Sequence, residues 1–422
     1  MKASPYPLER SLGMEYYASD TPGTGGRLRS SAEDFVVEEV PCAVGSEGPF
    51  LICRLTKKDW DQQRALRELA RQLGISYKRI GFSGTKDKHA VTSQLISIRD
   101  VTPGAIEKIS QKDLEVEVIG RSNGPLALGS HTANRFTITI REANPGQLSE
   151  IVDEVTRVCR EAVPNYFGLQ RFGVIRPVTH TTGALILKGD YEAAVLCYIG
   201  KDYPAEPPEV REARAQFLEN RDPREALRTF PLPLSYERTM LHHLAANPGD
   251  YLGALLLLPP KLLSLLVSAY QSLLFNRALS RRIARSSGLL HPLPGDRLLF
   301  SNGKEDRVTD QNQDSASLQM GRGRCRIAIR VPGCRVEGGH FDDEAVMASY
   351  LAEDGIGRED FCRVSDLIRT RFEGASRPIS LSTKIDTTVE GQSVRLSFEL
   401  GPGQYATTVC REYMKGDPFD MI

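Results

Sequence analysis

The sequence predicts an α+β protein in which a sheet-forming domain is interrupted by a helix-rich insertion. Three observations carry that expectation. Strand-like runs with period-two alternation occur toward both ends of the chain, helical spacing dominates the middle, and Pro- and Gly-rich joints separate the helical segments. With 422 residues the chain has room for roughly two to three domains of about 150 residues. Its 40% hydrophobic, 26% charged and 7% aromatic residues are the composition of a folded protein, which excludes disordered and collagen-like chains.

Taken in order, residues 27–40 end in a short β-rich run, Phe35 to Val40, and Phe50 to Leu55 reads as a second strand. Residues 61–73 follow with Ala65, Leu66, Leu69, Ala70 and Leu73 at helical spacing, capped by Asp59 or Asp61 and closed by Gly74. A glycine-containing loop, residues 81–89, leads into Ala90 to Ile98, another strand. Asn134 to Ile140 alternates with period two, and residues 148–162 are helical up to Pro164. Beyond Phe172 the pattern changes: Tyr191 to Ile199, Pro208 to Arg228 and Lys261 to Ser286 read as helices. Strand character returns near Ile379, in Ser393 to Leu400, and in a final Ala406 to Cys410. The domain split expected from this order is 1–170 with 373–422, and an insertion over 171–372.

Fifty-four basic residues balance 54 acidic ones, so net charge says nothing about a polyanionic partner, but distribution does. Between Arg54 and Asp100 eleven Lys/Arg face five acids, a net excess of six. A second cluster, Arg277, Arg281, Arg282 and Arg285, stacks like charges at i, i+4, an arrangement that is unfavourable until an anion arrives. Two basic clusters of this kind suit a phosphate backbone. Eight cysteines and seven histidines are scattered, with no C-x-x-C pair and no metal-ligand spacing, so neither a zinc site nor a disulfide framework is expected. The longest near-continuous apolar stretch, Tyr251 to Leu258, is cut by Pro259, Pro260 and Lys261, short of the 18 or so residues of a membrane span. The polar N-terminus lacks the apolar core of a secretory signal, so a cytoplasmic location is expected.

The loop Gly81-Phe82-Ser83-Gly84-Thr85-Lys86-Asp87-Lys88-His89 is where chemistry is most concentrated. It lacks the G-x-x-x-x-G-K-[ST] spacing of a phosphate loop. Ser83 to Lys86 fits the S-x-x-K of acyl-enzymes, but Gly84 opposes the necessary helix start and no S-D-N or K-T-G companion occurs. That leaves Asp87, presented by a glycine-bearing loop between two lysines that favour its carboxylate form, as nucleophile, base or salt-bridge partner.

Read at full length, Gly81 to Gln94 resembles G-x-x-G-x-K-D-x-x-A-x-T-x-Q, the signature of the TruD family of tRNA pseudouridine synthases. Further segments agree in order: Glu33 to Glu39, Gly129 to Phe136, Pro164 to Gly173, Ser268 to Arg277, and Gly403 to Thr408. The resemblance covers almost the whole chain from about residue 27. It implies a pseudouridine synthase catalytic domain, an antiparallel mixed sheet flanked by helices, interrupted by a helix-rich α/β TRUD domain, with RNA bound in a cleft between them. The implied reaction converts a uridine, typically uridine-13 of tRNA, to pseudouridine by breaking N1–C1′, turning the base and rejoining it through C5. It needs no metal, nucleotide or other cofactor. A monomer is expected, with tRNA as the partner and no membrane association.

Carried over by position, the resemblance makes Asp87 the catalytic carboxylate, acting at the ribose as nucleophile or as base. Tyr405 stands where the family has an aromatic against the target base, and Phe35 and Asn134 where it lines the uridine pocket. Arg29 stands where a basic residue pairs with the aspartate, lysine being found in some members, a change that keeps charge but alters hydrogen-bond geometry. Lys86, Lys88, Arg171, Arg277, Arg281 and Arg285 are the candidates for RNA-backbone contacts. Two other readings stand beside this one. A non-catalytic RNA-binding protein or tRNA chaperone would use the same cleft, and a glycoside hydrolase would need a second carboxylate, for which Glu38 or Glu39 is available. The single tryptophan, Trp60, makes a sugar-stacking platform hard to build.

Overall fold

The structure is a computed structural model that describes residues 1–41, 44–127, 129–286, 288–335 and 341–421. The chain divides into two compact units, Ala18–Val163 with Leu381–Ile422 and Met1–Tyr17 with Pro164–Ser380. The insertion thus begins and ends several residues outside the expected 171–372 and takes the first 17 residues with it. Hydrogen bonds explain that membership. Asn276 Nδ2 donates to the Leu12 carbonyl at 3.0 Å, and Ser280 Oγ donates to the Gly13 carbonyl at 2.7 Å. Gly13 sits at φ 72°, and a Cβ there would lie 2.7 Å from the Arg277 backbone nitrogen, so only glycine lets this segment approach the helix so closely.

In the first unit a mixed sheet runs in the order Ile385–Glu390, Ser393–Leu400, Ala133–Ile140, Phe35–Val40, Val91–Arg99, Phe50–Lys58, Leu114–Ser122, with Ile80–Phe82 paired to Val91–Arg99. Only the Phe35–Val40 and Val91–Arg99 pair is parallel. Helices cover one face. Gln62–Gln72 starts where the Asp61 carboxylate accepts from Arg64 N at 2.9 Å, and it buries Ala65, Leu66 and Leu69 against Cys53, Leu55, Ile96 and Ile98. Leu148–Glu161 buries Val152, Val155 and Cys159 against Phe136, Ile138 and Leu396. Each such aliphatic side chain removed from water contributes about 1.5–3 kcal/mol, which fixes which face of each strand is inward.

The final strand expected over Ala406 to Cys410 is instead a helix, Ala406–Met414, every residue of which is buried. Its β-branched Thr407, Thr408 and Val409 favour a strand, but burial on all sides overrides propensity and erases the polar face that would mark a 3.6-residue period.

The inserted unit is helical, with a four-stranded antiparallel sheet in the order Glu305–Arg307, Arg297–Phe300, Cys325–Val331, Ala375–Pro378. The single helix expected over Pro208 to Arg228 is two, Pro208–Asn220 and Pro223–Thr229. Arg221 turns left-handed at φ 51°, and Asp222 caps the new helix by accepting from Arg224 N at 2.8 Å. The longest helix, Pro260–Ser286, is by length and composition able to cross a membrane. Its sequence is not a continuous apolar run, because Gln271, Asn276 and Arg277 interrupt it. Here it is a core helix, with Leu266, Val267, Leu274, Phe275 and Leu279 fully buried.

Candidate active site

The site forms where the Val91–Arg99 strand changes neighbours. Along Val91 to Ser93 it lies beside Phe35–Val40, and along Ile96 to Ile98 beside Ile80–Phe82. Residues 83–90 leave the sheet between those two pairings, and a set of buried polar groups ties this excursion down. Gln62 Oε1 accepts from Lys86 N, and Gln62 Nε2 donates to the Gly84 carbonyl at 3.0 Å. Ser83 Oγ donates to Glu39 Oε1 at 2.7 Å, and Lys86 Nζ donates to Glu39 Oε2 at 2.9 Å. Lys57 Nζ donates to the Asp87 carbonyl at 2.6 Å and to the Trp60 carbonyl at 2.8 Å. Lys57 is only 1% exposed, and burial pushes its ammonium down to about 8 against the opposing pull of the Asp87 charge.

Asp87 is held from below and open above. Arg29 Nη2 donates to Asp87 Oδ2 at 2.8 Å, with the carboxylate side chain 51% exposed and the arginine side chain 13%. Arg29 lies 4.2 Å from the Phe35 ring centroid, so its guanidinium is sandwiched between an aromatic face and the carboxylate. Its backbone is left-handed at φ 59°, a strained conformation for an arginine. Phe35 meets Phe136 edge-on at 6.4 Å, and Phe136 stacks on Phe398 at 5.6 Å, giving the pair a rigid floor. Tyr405 is the N-cap residue of the Ala406–Met414 helix. That helix lies close to Arg29: burial pushes the Cys410 thiol up to about 12, with the Arg29 charge acting in the opposite direction. Asn134 sits opposite Glu39 in the sheet register, and its Nδ2 lies 3.2 Å from His131 Nε2.

Asp87, Arg29, Phe35, Asn134 and Tyr405 therefore all belong to the same unit, with Asp87, Arg29 and Phe35 in direct contact. Lys86 does not serve as a backbone contact. It is buried and paired with Glu39, on a stretch that Gln62 holds by the Lys86 N–H and the Gly84 carbonyl, whereas Lys88 is exposed. The other candidates lie in the inserted unit. Arg277 is committed to Glu353 at 2.9 Å and to the Tyr350 ring at 4.0 Å, and Arg171 donates to Ser272 Oγ at 3.1 Å. Arg281 and Arg285 are exposed, while Arg282 is held bidentately by Asp296 at 2.9 and 2.6 Å. Glu39, 1% exposed in its side chain and doubly bonded, cannot act as the second carboxylate a glycosidase requires.

The sequence reading misses Lys57, Gln62, His131 and the anchoring role of Glu39. Thr92 and Gln94 enter it only as letters of the motif. In the structure, Arg29 Nε, Thr92 Oγ1, both amide atoms of Gln94, His131 Nδ1 and Asn134 Oδ1 are buried with no hydrogen-bond partner. They make up most of the buried side-chain N and O atoms so placed among the described residues. An orphaned buried polar atom costs about 1–3 kcal/mol, so a site that gathers them is built to be completed by something else.

The sequence model of the family described as tRNA pseudouridine synthase D (TruD) matches residues 11–413. A protein of Methanococcoides burtonii named "Probable tRNA pseudouridine synthase D" is 38% identical over 433 residues, covering 98% of both chains. One of Methanosarcina acetivorans with the same name is 39% identical, again covering 98% of each. The crystal structure of a Methanosarcina mazei protein named "Putative tRNA pseudouridine synthase D (TruD)" superposes with a TM-score of 0.83 at 38% identity and covers 100% of both chains.

Proposed function

Because the chain belongs to the TruD family of tRNA pseudouridine synthases, and so is an isomerase, we propose that it acts on uridine-13 of tRNA with Asp87 as the catalytic carboxylate. The observation that carries this reading is the Asp87–Arg29 pair: an exposed carboxylate on a loop pinned from beneath, with a half-buried arginine fixing one of its oxygens. Pre-positioning of this kind spends little free energy on ordering when substrate arrives.

The target nucleotide leaves its stack, because a base held between its neighbours can neither be reached nor turned. Asp87 acts at the ribose as nucleophile or as base, the N1–C1′ bond breaks, the free uracil turns, and C5 bonds to C1′. The proton displaced from C5 and the proton gained at N1 balance, so the change is redox neutral. Arg29 keeps the carboxylate aimed throughout, and Tyr405 supplies a face for the base. Lys88, Arg281 and Arg285 take the RNA backbone.

The test is to incubate the purified protein with unmodified tRNA transcript and map pseudouridine by carbodiimide primer extension, beside Asp87→Ala. One new site at position 13, absent with the variant, is the expected result. Tight tRNA binding with no modification of any transcript would replace this reading with the non-catalytic RNA-binding one.

A further inference from the structure

We infer that His131 is a positioning residue that sets base specificity: it ties back the amino end of the Asn134 amide so that the carbonyl end meets the target base. The inference rests on the functional reading above, in which Asn134 lines the uridine pocket. Three observations support it. Asn134 Nδ2 lies 3.2 Å from His131 Nε2, a contact that makes Asn134 the donor and requires the ring proton on Nδ1. Asn134 Oδ1 is buried with no partner of its own. The His131 ring lies against the Asp87 loop, where a Cβ on Gly84 would be 3.5 Å from His131 Cε1.

A carboxamide whose N–H is engaged on one side presents its oxygen on the other. That oxygen is an acceptor waiting for a donor. A uracil joined through N1 has one ring donor, N3–H, between two carbonyl acceptors, whereas cytosine has a lone pair at N3. A fixed acceptor therefore welcomes uracil and repels cytosine, and the penalty is large because the acceptor is already desolvated. The same contact suits the reaction. Turning uracil so that C5 replaces N1 is a half-rotation about the N3–C6 axis, which exchanges O2 with O4 and leaves N3–H where it was. One acceptor on that axis holds the base before and after the turn.

The experiment compares transcripts carrying U or C at the position that wild-type enzyme modifies, bound to protein in an Asp87→Asn background so that no turnover occurs. With His131 present, the U transcript is expected to bind about 10- to 100-fold more tightly than the C transcript. His131→Lys offers only donors, so the Asn134 amide turns round and the ratio falls to about one or inverts. His131→Glu offers only acceptors and keeps the preference for U. Both transcripts carry the same charge, so the ratio cancels any general effect of the new charge on RNA affinity. His131 stands outside the helices and strands, and an unchanged melting temperature in both variants checks that the fold persists. An unchanged ratio in His131→Lys, equal loss in both variants, or no preference in the parent overturns the inference. Failure of wild-type enzyme to modify any transcript would sink the functional reading itself and this inference with it.

Discussion

In the inserted unit, Arg176 and Arg214 face Glu206 and Glu237 in a buried network that spends its charges internally. Arg214 donates to Glu206 at 2.9 Å, to Glu237 at 3.0 Å and to the Ile199 carbonyl, while Arg176 donates to the carbonyls of Tyr198 and Lys201. In the sheet unit, Lys57, Lys86 and Glu39 form a second buried set, and it too is bonded throughout. The difference lies beside them. Next to the second set stand an exposed carboxylate and the partnerless atoms of Arg29, Thr92, Gln94, His131 and Asn134. A closed network pins a fold, whereas a closed network bordered by orphaned polar atoms pins a surface that still needs a ligand. Burial of charge alone does not mark function; what distinguishes the site is the imbalance at its edge.

The largest effect that sharpens this contrast is at Asp87. Asp87→Asn should lower turnover by at least about a thousandfold while leaving tRNA affinity within about tenfold, which is about 1.4 kcal/mol. Its melting temperature should not fall, because a half-exposed ion pair contributes little to stability. A variant that lost both turnover and stability would make Asp87 a structural anchor. Glu237→Ala should behave in the opposite way. It removes a buried carboxylate that Arg176 and Arg214 share, leaving Glu206 as their one anionic partner, and should destabilise by about 3–5 kcal/mol in denaturant unfolding, with turnover at a permissive temperature unchanged. A turnover defect in still-folded Glu237→Ala would break the division of roles.

Why half of this was legible in the sequence comes down to parity. The sheet–helix–sheet plan was readable because half-buried strands such as Ser393–Leu400 alternate and so announce themselves. The Asp87 loop was readable because its glycines and charges sit in a run. Two neighbouring like-charged pairs were not. Lys57 is buried and Lys58 pairs outward with Glu33, and Glu39 is buried and Glu38 is not. Which member of each pair turns inward depends on register, and register is set by partners distant in sequence, such as Thr92 opposite Lys57 and Asn134 opposite Glu39. The same limit hid the first 17 residues' membership of the inserted unit, which rests on contacts with Asn276 and Ser280, some 265 residues away.

A smaller effect tests whether the anchoring set is under strain. The Lys57 ammonium is held down to about 8 by burial, from an ordinary value of 10.5 that the unfolded chain retains. Between those two pH values the unfolded state binds more protons, so Lys57 makes the folded state gain stability as pH rises from about 8 to 10.5, and adds no slope below 8. The unfolding free energy of wild type relative to Lys57→Met should therefore climb across that window. A flat difference would mean that the folded lysine holds its proton as firmly as the unfolded one, its burial fully compensated by its partners.

The smallest effect probes two exposed arginines of the inserted unit. Arg281 and Arg285 are exposed, one helical turn apart on Pro260–Ser286, while Arg277 and Arg282 on the same helix already have carboxylate partners. Holding two guanidiniums together without an anion is unfavourable by a few tenths of a kcal/mol, little enough to persist and enough to be relieved by phosphate. Arg281→Glu with Arg285→Glu should lower tRNA affinity and reduce the slope of log affinity against log salt by about two, one for each phosphate no longer neutralised. Stability should stay within about 0.5 kcal/mol, since neither side chain is buried. An unchanged salt slope would leave the inserted unit without a demonstrated RNA contact and would extend its structural reading from the buried network to its surface. A reduced slope would show that both units carry charge reserved for the ligand, and that they differ in kind: phosphate attraction on one, a preformed and unfinished hydrogen-bonding site on the other.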